Sequence, residues 1–160
     1  MTGLLGDAIL LAAITVLLQI VRDDFWNLKI RNRASLALVG LYVAWAALMG
    51  GATLPGDLLA ALILFLLTLA MWLAGAMGAG DVKLSAALGL LIGYKALAVY
   101  AALLLVASVL FAVTLALAKR SRAPGMIIGR LRDIAQSGRA PYSIPIAAAA
   151  IPSLLWRAFT

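Results

Sequence analysis

Long apolar runs, separated by short polar segments, occupy most of this sequence and restrict what it can fold into. Hydrophobic residues make up 66% of the 160 positions, and the mean hydropathy is +1.11. Soluble domains are only about half apolar. A run of roughly 20 apolar residues is long enough to cross a bilayer as a helix, which satisfies its own backbone hydrogen bonds there. The sequence therefore predicts an all-α integral membrane protein.

We expect about six transmembrane helices in one membrane-embedded domain, residues 1–160. The apolar region from Val82 to Ala118 is too long for one helix, and a break is predicted at Gly93-Tyr94-Lys95. The part before this break would reach only about 17 Å into a core roughly 30 Å thick, so that helix is expected to begin inside the membrane. The predicted spans are 4–21, 34–50, 58–76, 82–93, 96–118 and 141–159, with a polar loop at 22–33 and a turn at 51–57.

The basic residues predict the orientation, because cytoplasmic loops hold the excess of Lys and Arg. Only Lys95 and Arg157 fall outside the loops that follow the first, third and fifth spans. Both termini should therefore lie outside the cytoplasm. The basic cytoplasmic loop 119–140 also has apolar residues at helical spacing, as in a short interfacial helix. The cytoplasmic basic residues are Arg22, Lys29, Arg31, Arg33, Lys83, Lys119, Arg120, Arg122, Arg130, Arg132 and Arg139.

The net charge of +7 does not indicate a nucleic-acid partner, since the basic residues lie in short loops rather than in one patch with aromatics. The chain has no Cys and no His, which excludes thiolate nucleophiles, Ser-His schemes and Cys/His zinc sites. All six acids are Asp. The groups that remain for chemistry are carboxylate, Lys, Arg, Tyr, Ser and Thr, and no metal or cofactor is expected.

Among the six acids, Asp81 is the one for which a purely structural role is least expected. It lies between two apolar segments, where a charge is costly and is presumed functional. The neighbouring Gly78 and Gly80 allow a sharp turn and a close approach of other chain segments. Asp23 and Asp24 lie at the same predicted membrane face, although juxtamembrane Asp residues often only balance nearby Arg charges. Two carboxyl groups about 3 Å apart share one proton and can act together as base and acid in peptide hydrolysis.

The segment Gly78-Ala79-Gly80-Asp81-Val82-Lys83 resembles the Gly-x-Gly-Asp-x-Lys motif of the type IV prepilin peptidases, which are membrane aspartic proteases. In that family the first aspartate precedes an Ile-Pro-Asn by six residues, and here Asp24 stands six before Ile30-Arg31-Asn32, with Arg in place of Pro. Pro141-Tyr142 also matches the family. The resemblance covers the chain from about Asp24 to Tyr142 and implies that Asp24 and Asp81 are the catalytic pair. The supporting residues that it implies are Gly78, Gly80, Lys83, Ile30, Asn32 and Tyr142.

The chain lacks the Cys-bearing cytosolic insertion of the long family members, and so resembles the peptidase-only forms that serve tight-adherence (Flp-type) pili. This resemblance implies an endopeptidase of the bacterial cytoplasmic membrane, with its active site on the cytoplasmic side. It would remove the basic leader of a prepilin or pseudopilin at the membrane boundary, without N-methyltransferase activity. The implied partners are the prepilin and membrane lipid, with no nucleic acid, and the oligomeric state is left open.

Two supporting residues keep alternative roles. Lys83, or a basic residue of the 29–33 loop, would attract an acidic residue beside the cleavage point, or Lys83 only follows the positive-inside rule. Tyr142 would orient a carboxylate by a hydrogen bond or anchor the chain at the interface.

Two other classes of function remain open. A small proton-coupled transporter would also carry an intramembrane Asp, but should show internal repeats, and none is evident. In a non-enzymatic assembly subunit, Gly78 and Gly80 would only allow close helix packing. Presenilin-like proteases share Gly-x-Gly-Asp but carry a Pro-Ala-Leu that this chain lacks.

Overall fold

The computed structural model describes residues 2–121, 123–138 and 140–159, which form six α-helices and contain no strand. The prediction of an all-α fold is confirmed for these residues. Arg122 and Arg139, which contributed to the predicted orientation, lie outside them. The helices are α1 (Thr2–Asn27), α2 (Asn32–Leu48), α3 (Leu54–Leu73), α4 (Ala79–Arg120), α5 (Met126–Ser137) and α6 (Ser143–Phe159).

Three of these helices, α1, α3 and α4, are long and apolar enough to cross a membrane, while α2 and α6 are apolar but shorter. Their outer surfaces remain apolar, as on α4, where Leu105, Leu110 and Leu117 are each more than 60% exposed. A soluble monomer rarely presents an apolar surface of this kind. The protein is therefore a membrane protein, whereas the exact number of spans stays a prediction.

Helix α4 contains a sharp change of direction at Gly93, whose φ of 71° and ψ of 169° are not helical. A straight helix of 42 residues would be about 63 Å long. Its start nevertheless lies near the end of α1, and the helix that follows it, α5, returns to the same place. Lys83 contacts Asn32 just after α1, and Arg130, soon after α4, contacts the last turn of α1. The segments 79–92 and 94–120 therefore run in opposite directions, with the reversal where the sequence predicted a break.

The hydrophobic core is formed by α1, α2, α4 and α6 together with Leu64 of α3, and its fully buried residues include Leu17, Leu38, Leu88, Tyr100 and Leu154. Helix α3 also packs along α4. This contact is close because residue 89 is glycine. A Cβ there would lie 2.5 Å from the Ala61 Cα, which no real contact allows. The first segment of α4 is thus held between the core and α3.

The structure corrects the boundaries of two predicted elements. The predicted loop at 22–33 is wrong for residues 22–27, because α1 continues to Asn27 and carries Asp23 and Asp24 in its final turns. A side chain of α5 donates hydrogen bonds to carbonyl groups in the last turn of this helix, as described below. The predicted turn at 51–57 is also too long, since α3 begins at Leu54. Pro55 is favourable in that first turn, where its missing N–H costs nothing.

Candidate active site

Asp24 lies in the last turn of α1 and is only 5% exposed. Its Oδ2 accepts a hydrogen bond of 2.6 Å from the Ser143 hydroxyl, the first residue of α6. The Ser143 backbone N–H also interacts with this carboxylate. A helix N-terminus has free N–H groups that favour an acidic side chain. The start of α6 therefore fixes the orientation of the Asp24 carboxyl group.

The turn of α1 that carries Asp24 is itself held by Arg130 of α5. The Arg130 guanidinium donates two hydrogen bonds of 2.9 Å, from Nε to the Phe25 carbonyl and from Nη2 to the Trp26 carbonyl. The last carbonyls of a helix have no partner within the helix. Arg130 supplies the missing donors, and the backbone beyond then turns at Leu28, which has a φ of 50°.

Asp81 lies in the first turn of α4 and is 7% exposed. Its Oδ2 accepts a hydrogen bond of 3.3 Å from the Gly78 N–H, so the side chain caps the start of its own helix. Its Oδ1 is buried and has no hydrogen-bond partner among the described residues. Asp81 thus has one oxygen held by the backbone and one acceptor oxygen left for another group.

The glycines of this motif are required by close approach rather than by unusual backbone angles. Gly78 has ordinary extended angles, φ −78° and ψ 147°. A Cβ on Gly78 would lie 3.1 Å from the Asp81 Oδ2, and a Cβ on Gly80 would lie 3.0 Å from the Ile30 Cβ. Both distances are tighter than ordinary contacts. Gly80 therefore allows the start of α4 to lie against the loop that follows α1, and Gly78 leaves room for the Asp81 carboxylate.

The structure brings both predicted catalytic acids to the same end of the helix bundle. Asp24 is held there by the start of α6, and Asp81 lies at the start of α4. Beside them, the Lys83 Nζ donates a hydrogen bond of 3.0 Å to the Asn32 Oδ1, across 51 positions of the sequence. Within the described ranges, neither acid forms an ion pair with a basic side chain. Asp23 differs, since it is partly exposed and lies 3.5 Å from the Arg31 guanidinium.

The remaining predicted residue, Tyr142, is half-buried and packs against the hydrophobic core. Its neighbour Ser143 supplies the hydroxyl group that contacts Asp24. The sequence reasoning missed Ser143 and Arg130 as residues of this site. The only signal for Ser143 was its place directly after Pro141-Tyr142, and Arg130 was counted for orientation alone.

Two well-formed cavities among the described residues are lined by other side chains than the two acids. A cavity of about 720 Å³ lies at the Gly93 end of the bundle, where Asp57 and Arg157 are already paired. A smaller cavity of about 200 Å³ lies beside the end of α1 and is lined by Asp23 and basic residues. No three acidic side chains of the described part converge as a metal site would require. The groups available for chemistry at this site are two buried carboxyl groups, one of which, Asp81, has an acceptor oxygen without a partner among the described residues.

A family model described as the type IV leader peptidase family matches residues 9–117, which include both acids. A search of curated proteins and a search of solved structures each returned no match. The match covers more than half of the chain, and so this chain belongs to the type IV leader peptidase family.

Proposed function

We propose that this protein is a membrane aspartic endopeptidase that removes the basic leader of a type IV prepilin, of the Flp-like class, at the cytoplasmic membrane boundary. The observation that carries the proposal is that two buried carboxyl groups, Asp24 and Asp81, lie at the same end of the bundle although their helices are far apart in the sequence. Burial of two acids without a basic partner is costly and is retained in proteins chiefly at functional sites.

In the proposed reaction, the two carboxyl groups come together on the substrate and share one proton, because two adjacent carboxylates cannot both ionise. The ionised member takes a proton from a water molecule, whose oxygen forms a bond to the scissile carbonyl carbon. The neutral member donates a hydrogen bond to the carbonyl oxygen. The C–N bond then breaks as the proton taken from water is passed to the leaving amine. The Asp81 Oδ1, buried without a protein partner, is suited to hold the water or the shared proton.

The fixed members of the site favour a preformed geometry. Ser143 orients Asp24, and the Gly78 N–H orients Asp81. Positioning of this kind lowers the barrier because the reacting groups need not be ordered during the reaction. The Lys83–Asn32 hydrogen bond is exposed next to the two acids. We propose that Lys83 attracts an acidic residue of the prepilin beside the cleavage point.

The basic residues support a cytoplasmic location for this end of the bundle. Lys83, Arg130 and the 29–33 loop all lie at the end that carries the two acids. Lys95 and Arg157 line the cavity at the opposite end. By the positive-inside rule, the acids would face the cytoplasm of a bacterial inner membrane, where the leader of a prepilin remains.

Replacement of each acid by its amide tests the proposal, with Asp23→Asn as the matched control. The purified chain in proteoliposomes is incubated with a full-length prepilin, and cleavage is followed by gel shift and mass spectrometry. We expect Asp24→Asn and Asp81→Asn to abolish cleavage, because an amide can neither take the proton from water nor share a proton with the other acid. Asp23→Asn should cleave within about threefold of wild type, since an exposed ion pair contributes only about 0–1 kcal/mol.

The outcomes separate the peptidase from its alternatives. Normal cleavage by folded Asp24→Asn and Asp81→Asn variants would refute the catalytic pair. An uncleaved prepilin with the wild-type chain would direct attention to an assembly subunit or a transporter. For Lys83, a Lys83→Glu variant should cut a prepilin of reversed charge better than the wild-type prepilin. If the Lys83→Glu variant cut neither prepilin, the proposed charge attraction would be refuted.

A further inference from the structure

We infer that Arg157 and Asp57 are positioning residues for Asp81, acting from the opposite end of the helix segment that carries it. The inference rests on the proposed function, because it concerns the same catalytic pair. Arg157 lies near the end of α6, and Asp57 lies in the first turn of α3. Both are remote from the two acids along the bundle and line the cavity at the Gly93 end.

Arg157 caps the C-terminal end of the first segment of α4, residues 79–92. Its Nη1 donates hydrogen bonds of 3.0 Å to the Leu90 carbonyl and 2.9 Å to the Leu91 carbonyl. In a continuous helix these carbonyls would accept bonds from the next turn, and the reversal at Gly93 removes those donors. Arg157 therefore terminates the segment from more than 60 positions away.

Asp57 holds the Arg157 side chain in the geometry that these bonds need. The Arg157 Nη2 lies 2.7 Å from the Asp57 Oδ2, and the two side chains are 10% and 3% exposed. The same Oδ2 accepts hydrogen bonds of 3.0 Å from the Tyr42 hydroxyl and 2.8 Å from the Thr53 hydroxyl. The guanidinium also lies 4.0 Å from the centroid of the Trp45 ring. A buried ion pair with further partners of this kind is expensive to break.

Gly93 fits this arrangement for two independent reasons. Its φ of 71° is a conformation that side-chain-bearing residues rarely adopt. A Cβ at this position would also meet the Asp57 carboxylate and the Arg157 guanidinium. The chain reversal at Gly93 therefore lies directly against the Asp57–Arg157 ion pair. A movement of either one would displace the other.

The first segment of α4 can carry a displacement from this end to Asp81. It is pinned at Gly89, where it lies against the Ala61 backbone. Leu91 is two residues beyond this contact, about 3 Å along the axis, and Asp81 is eight residues before it, about 12 Å. If the segment tilts about Gly89, the displacement at Asp81 is therefore about four times the displacement at Leu91. A shift of about 0.25 Å at Leu91 would move Asp81 by about 1 Å, which is enough to cost about 100-fold in rate.

The test measures cleavage of a full-length prepilin and hydrogen exchange in the same proteoliposomes. Arg157→Met removes all of the donated bonds, Arg157→Lys keeps the charge without the fork of donors, and Asp57→Asn weakens the ion pair. Ser153→Ala is the matched control, because Ser153 is buried in the same helix and bonds only to its own turn, at the Ala149 carbonyl.

We expect Arg157→Met to lower kcat by about 10- to 100-fold with KM within twofold of wild type. Arg157→Lys and Asp57→Asn should give smaller losses of the same kind, and Ser153→Ala none. Amide exchange in residues 86–95 should become faster in the three variants. A merely structural role would reduce the amount of folded protein while leaving kcat per folded molecule unchanged.

Wild-type kcat in folded Arg157→Met, or in folded Arg157→Lys and Asp57→Asn if the first variant does not fold, would overturn the inference. An inactive wild-type chain would instead remove the proposed function. Hydrogen exchange would still be informative in that case, because unchanged exchange at 86–95 would show that Arg157 does not hold this segment.

Discussion

Replacing Ser143 with alanine should slow cleavage without preventing folding. Ser143 is fully buried and donates a hydrogen bond of 2.6 Å to the Asp24 carboxylate. Hydrogen bonds to charged groups contribute about 1.5–3 kcal/mol. The backbone N–H of residue 143 remains in the variant, so we expect the lower part of this range, about 1.5–2 kcal/mol. That loss corresponds to a decrease of about 10- to 30-fold in kcat.

The assay is the initial rate of prepilin cleavage at several substrate concentrations, with the melting temperature as a check on folding. Ser143→Cys, a weaker donor of similar size, should fall between alanine and wild type. Ser153→Ala is the control, because it removes a buried hydroxyl group from the same helix without touching Asp24. A folded Ser143→Ala variant with the wild-type kcat would show that this hydroxyl does not orient a catalytic group.

Two further substitutions test the contacts that place the acids. Gly89→Ala should destabilise the protein by about 1–3 kcal/mol, because the new Cβ would overlap the Ala61 backbone. Gly40→Ala, with open space around it, should be neutral or stabilising in thermal unfolding, and equal melting temperatures for the two variants would contradict the packing. Arg130→Met should lower both the melting temperature and the cleavage rate, because the last carbonyls of α1 lose two donors. Arg120→Met, an exposed charge, should change neither, and a normal rate for Arg130→Met would show that the end of α1 needs no such support.

The features predictable from the sequence are those that depend on composition or on neighbouring residues. Apolar runs predicted helices because a bilayer leaves few other structures for the backbone. The reversal of α4 was predictable from a polar interruption at Gly93-Tyr94-Lys95 within an apolar region too long for one helix. The extent of α1 was not predictable, because its final turn is completed by Arg130, over 100 residues away. Local propensity carries no information on such a contact.

The same distinction applies to the site. Asp81 was predictable because a charge between apolar segments is rare, and Asp24 because a known motif shares its spacing. Ser143 contacts Asp24 across 119 positions, and a serine at the start of a helix is too common to be a signal. Asp57 and Arg157 looked like ordinary charges near helix ends, and only the fold shows them paired and buried.

The arrangement of α6 has a consequence for what constitutes the smallest working unit of this protein. The family match ends at residue 117 and already contains both acids. The groups that contact Asp24 and terminate the first segment of α4 come from Ser143 and Arg157, at the two ends of α6. A polypeptide restricted to the matched region would contain both acids and the Gly78 N–H, and it would lack Ser143 and Arg157. If the proposed function is correct, α6 would thus complete the site after both acids have been synthesised.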